Sequence, residues 1–218
     1  MNTSPHGHRH IRDFLLDHGA GQQAHPGGTL LGHLVQVAEL LAAWGADEHL
    51  QAAGLCHACY GTDGYPEALL ALSERPALAG LIGTRAESLV YLYGSCDRDA
   101  VYPALGKAGP VSFRDRFTGR MHTPPEPDVR AFTELTAANE LDIIRHNPAT
   151  AAQHGPALRR LFTRARPRLT DAAWQACSQP PATGPAGSAL RPAGWPFAGR
   201  WTWPAPSPPG AASAITPT

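Results

Sequence analysis

Thr29-Leu-Leu-Gly-His33-Leu-Val-Gln-Val-Ala-Glu-Leu-Leu-Ala-Ala-Trp44-Gly45-Ala-Asp47 is the stretch that decides the fold. Its apolar residues Leu30, Leu34, Val37, Ala38, Leu41 and Trp44 recur at the spacing of one helix face. Gly27 and Gly28 precede the stretch, Thr29 can cap a helix start, and Gly45 stops it. Asp47 is a good cap for a second helix, whose stripe carries Leu50, Ala53, Gly54 and His57 and which Gly61 would end. A link of only about three residues predicts that the two helices pack antiparallel.

Outward from this pair, the pattern stays helical. Ile11, Phe14 and Leu15 define a short amphipathic helix stopped by Gly19. Pro66 suits the first position of another helix and Pro76 interrupts it. Leu89, Leu92, Tyr93 and Cys96 mark a helix over 84–96, and Val111–Gly119 alternates enough for a small hairpin or an extended loop. Further helices are expected over 128–146, 156–164 and 172–177. The predicted class is a mainly α bundle, with a flexible His-rich segment over 1–10, a helical domain over 11–177 and a tail from 178. Residues 178–218 hold ten of the 22 prolines, with Gly, Ala and Ser filling most of the rest. Such a composition buries too little apolar surface to offset its ordering entropy, so a disordered tail is expected. Trp195, Phe197, Trp201 and Trp203 are unusual there and mark a possible docking motif.

Composition excludes some functions. Lys+Arg and Asp+Glu are each 18, so the formal net charge is zero and no basic footprint for nucleic acid or an anionic membrane is present. No apolar run reaches the roughly 20 residues of a membrane-spanning helix, and the polar N-terminus lacks the apolar segment of a signal peptide. The expected location is cytoplasmic, where Cys56, Cys59, Cys96 and Cys177 are reduced thiols. Cys56 and Cys59 are adjacent on a helix, but with no second such pair Cys56 reads as a small core residue.

His33 lies on the apolar stripe of the first helix, His57 on that of the second, and Asp97 at the end of the later one, eight residues after Leu89. Each is expected to face the helical core. Buried imidazoles and a buried carboxylate are costly without partners, and a divalent cation would satisfy all three. Two His and one carboxylate form a facial triad with open positions, which suits Fe and also accepts Mn or Zn. Tyr60, Thr62 and Asp63 follow His57 closely enough to support such a site. His25 precedes a Gly-Gly turn and could contact substrate or act as an acid/base, and Arg98 could bind an anionic group. Asn139, Glu140 and Asp142 lie on a later helix that could reach the site, although a solvated face explains them as well.

The stretches His25-Pro-Gly-Gly-Thr-Leu-Leu-Gly-His33, His57-Ala-Cys-Tyr60-Gly-Thr62 and Tyr93-Gly-Ser-Cys-Asp97-Arg98 resemble the HD-domain superfamily and, within it, an uncharacterised HD-like family. The superfamily comprises metal-dependent phosphohydrolases and non-haem iron oxygenases akin to inositol oxygenase. Its pattern is a helix-borne His, a His-Asp doublet and a distal Asp. Ala58 stands where the doublet has its Asp, and no His occurs between His57 and Asp97, so a dinuclear site is not expected. The resemblance implies an HD-like bundle with a mononuclear centre on His33, His57 and Asp97, acting on a small-molecule substrate and plausibly an oxygenase. The alternatives are a divalent-metal phosphohydrolase with an altered doublet and a non-catalytic HD-like binding module.

Overall fold

The computed structural model describes residues 8–178. The expected tail, with Trp195, Phe197, Trp201 and Trp203, lies outside the described residues. Within them the chain is a mainly α-helical bundle of nine α-helices with two short hairpins.

Helix α1 (Arg9–Asp17) starts two residues before the expected domain boundary and buries Ile11 and Leu15. A tight hairpin, β1 (Ala24–His25) and β2 (Gly28–Thr29), was not foreseen. Its antiparallel register pairs Ala24 with Thr29 and His25 with Gly28. Helix α2 (Leu30–Ala43) begins where the sequence placed it: the Thr29 hydroxyl accepts from the Gly32 amide at 3.2 Å. Helix α3 (Glu48–Cys56) is capped by Asp47, which accepts from the Leu50 amide at 2.8 Å. It ends at Cys56, five residues before Gly61, with His57 as its C-cap.

The helix expected at Pro66 does not form. Thr62 and Tyr65 pair as a β-bridge, and the amides of Leu69 and Leu70 both donate to the Cys59 carbonyl. Helix α4 (Arg75–Ile82) follows instead, with Pro76 in its first turn, so this proline opens a helix rather than interrupting one. Next come α5 (Thr84–Ser95), the short α6 (Arg98–Val101), and a hairpin of β3 (Phe113–Arg114) and β4 (Met121–His122). The hairpin extends beyond the expected segment, since its second strand follows Gly119. Helix α7 (Glu126–His146) is the longest, with Glu126 and Asp128 in its first turn and Arg145 and His146 in its last, as the helix dipole favours. Helix α8 (Pro148–Arg164) starts eight residues earlier than expected, with Pro156 inside it, and α9 (Asp171–Ser178) closes the domain.

The core forms where α2, α3, α5 and α7 pack together. Leu34, Val37, Leu41, Leu55, Val90 and Leu135 are buried there, beside a ring cluster in which Phe132 meets Phe113 edge-on at 4.9 Å and Tyr93 at 5.7 Å. The approach of α3 to α2 is close enough that a Cβ on Gly54 would sit 2.5 Å from the Leu41 side chain. No helix among the described residues is long and apolar enough to cross a membrane.

Candidate functional site

The α2–α3–α7 junction brings together three imidazoles. His33, four per cent exposed on α2, lies between two side chains of α7. Its Nδ1 is 2.6 Å from Asp142 Oδ2, and its Nε2 is 3.1 Å from Asn139 Oδ1. The Asn139 amide nitrogen donates to Glu140 Oε1 at 3.3 Å, which turns its oxygen toward the ring. Both nitrogens of His33 therefore face oxygen atoms of α7. Asp142 also reaches His146, whose Nδ1 lies 3.2 Å from Oδ1 and 2.9 Å from the backbone carbonyl.

His57 is buried at the end of α3 and donates from Nδ1 to the Gly54 carbonyl at 2.7 Å. Its ring meets His33 edge-on at 5.2 Å and Tyr93 at 5.2 Å. His25, carried by the first hairpin, stacks on His33 with centroids 4.0 Å apart and planes inclined by 21°. Its Nδ1 is buried without a hydrogen-bond partner. Burial, and next the neighbouring His33, lower the pKa of both His25 and His57 to about 3. The centre thus sets two neutral imidazoles against one that is paired with a buried carboxylate. The hairpin seats tightly: Gly27 has φ +87°, and a Cβ there would lie 2.7 Å from His146.

The other residues named from the sequence lie elsewhere. Asp97 caps α6, its Oδ1 accepting from the Ala100 amide at 3.1 Å and its Oδ2 pairing with Arg114 at 3.4 Å. Arg98 points inward rather than to a substrate: its guanidinium meets Glu140 at 3.1 Å and the Tyr93 hydroxyl at 3.3 Å; burial lowers its pKa, but Tyr102, Tyr93 and Glu140 together outweigh that and raise it. Its backbone amide donates to Asp63 at 2.9 Å, which accounts for that carboxylate. Tyr60 donates to Glu87 at 3.1 Å, and Arg75 grips the same carboxylate at 2.6 and 3.0 Å. Burial, then Glu87, push the Tyr60 hydroxyl's pKa up, so it stays protonated. Thr62 accepts from the Tyr65 amide at 3.0 Å and holds a turn.

The donor set His33, His57 and Asp97 does not fit a metal ion as arranged. Both His33 nitrogens are taken by α7, and the hydrogen bonds of Asp97 run to α6 and Arg114. Among the described residues no group of three or more His, Cys, Asp or Glu is placed to hold a metal ion. Asp142 and Asn139 are what the cluster gains instead. Asn139 follows Leu135 by four residues and Asp142 follows it by seven, a spacing that puts them on the buried stripe of α7.

Residues 14–98 match the family model described as Domain of unknown function (DUF6817). The DUF6817 match runs from the second half of α1 to the first residue of α6 and takes in His25, His33 and His57, but it stops before α7, so the carboxylate that pairs with His33 lies outside it. No curated protein and no solved structure matches the chain.

Proposed function

We propose that the helical domain is an acid–base enzyme that takes a small polar molecule at the imidazole centre. The observation that carries this reading is the buried convergence of His25, His33 and His57 beside Asp142. A neutral imidazole at physiological pH offers a lone pair as proton acceptor. His57 offers Nε2, because its Nδ1 hydrogen is held by Gly54, and His25 offers its unpartnered Nδ1. The His33–Asp142 pair lies next to both and fixes the orientation of the ring on which His25 stacks.

A metal-dependent enzyme is the second reading, and it rests on His57. Anchoring one imidazole nitrogen on a carbonyl is what metal-ligating histidines do to fix the other. The HD-domain resemblance supplies His33 and Asp97 as the other ligands of this reading, and both would have to leave their present partners to reach an ion with His57. Binding without catalysis is the third.

One set of measurements separates them. The full chain, purified without added ions, is assayed for metal content and screened for turnover of polyols, amino acids, nucleotides and simple phosphoesters, with and without chelator. The acid–base reading expects turnover that persists in chelator and is lost in His57→Gln. Near-stoichiometric metal, with turnover lost to chelator, would move the assignment to the metal reading. No turnover, but a substrate-dependent rise in melting temperature that Asp142→Asn removes, would make the domain a binding module.

A further inference from the structure

A second site lies away from the imidazoles, where α8 and α9 meet the end of α7. The cleft has a volume of about 330 Å³ and is walled by Leu141, Ile144, Leu158 and Phe162, with Cys177 of α9 at its edge. That volume is at the small end of ligand pockets, which run from about 300 to 1,000 Å³. Two features of α8 keep it open. A Cβ built on Gly155 would meet nothing within 4 Å, so the helix presents space there instead of packing. Pro156 has no N–H to give the Ala152 carbonyl one turn back, and both residues line the cleft.

Charge then selects the ligand. Arg159, one turn after Gly155 on α8, lines the cleft. Arg159 has no carboxylate partner among the described residues, so its charge is free for a ligand. An apolar cleft with a guanidinium in its wall complements an apolar body with an anionic end. We propose that this cleft binds a free medium-chain carboxylate, its alkyl chain among Leu141, Ile144, Leu158 and Phe162 and its head group on Arg159. This site is independent of the imidazole centre and stands or falls without it.

Cys177 gives the readout. It is partly exposed, whereas Cys56, Cys59 and Cys96 are buried, so a maleimide modifies Cys177 first, and Cys177→Ser identifies the label. The probe is decanoate below its micelle concentration, added to the full chain. A ligand covering the thiol slows its modification about tenfold at ten times the dissociation constant. Decanoate should therefore protect with saturation, and 1-decanol should protect less. Arg159→Gln should erase the difference between the two. Gly155→Phe should abolish protection, while Gly155→Ala, which melts like wild type or higher, should retain it. The proposal is overturned if decanoate leaves the rate unchanged, or if decanol protects equally. It is also overturned if only phosphatidylglycerol vesicles protect, which would make the ligand a membrane lipid, or if decanoate exposes the three buried thiols.

Discussion

His25 and His57 must be neutral in the folded chain, and that has a thermodynamic consequence. Their pKa falls from 6.5 to about 3 on folding, so between those values the unfolded chain binds protons that the folded chain refuses. Stability is then full above pH 6.5, declines as pH falls through the unfolded value, and levels off below about 3. Each imidazole contributes a slope of roughly 1.4 kcal/mol per pH unit. Urea midpoints measured at pH 7 and pH 5 should show this loss, and His57→Gln should roughly halve it, His25 supplying the rest; a wild-type midpoint unchanged over that range would contradict the burial argument. The two aspartates should also separate. Asp142→Ala leaves a buried nitrogen of His33 without its partner and should cost about 1–3 kcal/mol, whereas Asp97→Ala removes one helix cap and should cost about 1 kcal/mol. Chemical denaturation of both variants checks the contrast. His33 and His57 were legible as core-facing because an imidazole on an apolar stripe has few other places to go. Asp97 was misleading for a physical reason: a carboxylate at a helix boundary is equally at home capping the next helix, and spacing alone does not tell a cap from an inward side chain. Asp142 sat on the readable stripe of α7, yet its polarity made a solvated face equally plausible.

At the scale of elements, the long periodic helices were legible and the short connections were not. The starts of α2 and α3 followed from Thr29 and Asp47, whose side chains do what capping residues do. The segment after Pro66 has a helical pattern but spends its amides on the Cys59 carbonyl, a partner that no local window contains. A hairpin with two residues per strand has no period to read, and yet it carries His25 into the centre. Its seating depends on Gly27, which combines a left-handed backbone with contact against His146. Gly27→Ala adds a methyl group 2.7 Å from that ring and strains the turn, at a cost of about 1–3 kcal/mol. The expected result is loss of the hairpin's seat with the bundle intact. Amide hydrogen exchange should quicken at Thr29–Leu31 and stay slow in α5, and an unchanged hairpin would show that the contact relaxes without consequence.

Across the whole domain, one arginine joins parts of the chain that helix packing alone leaves loosely tied. Arg168, in the turn between α8 and α9, is seven per cent exposed. It donates to the carbonyls of Leu105 at 2.5 Å, Lys107 at 2.9 Å and Gly109 at 2.9 Å, and its Nε meets Glu126 at 3.1 Å. The loop after α6, the start of α7 and the approach to α9 therefore share one guanidinium. Its planar fork is what allows four partners in different directions, and a lysine ammonium offers a single point of charge instead. Arg168→Met leaves three carbonyls and a carboxylate without their donor, and the expected loss is about 3–5 kcal/mol. Arg168→Lys should fall between that variant and the wild type. The loop should also loosen before the bundle melts, so trypsin should cut after Lys107 in Arg168→Met under native conditions where the wild-type loop resists. If Arg168→Met unfolds within about 1 kcal/mol of wild type and Lys107 stays protected, the closure of the domain rests on the packing of α7 with α8 and α9, and the arginine only decorates it.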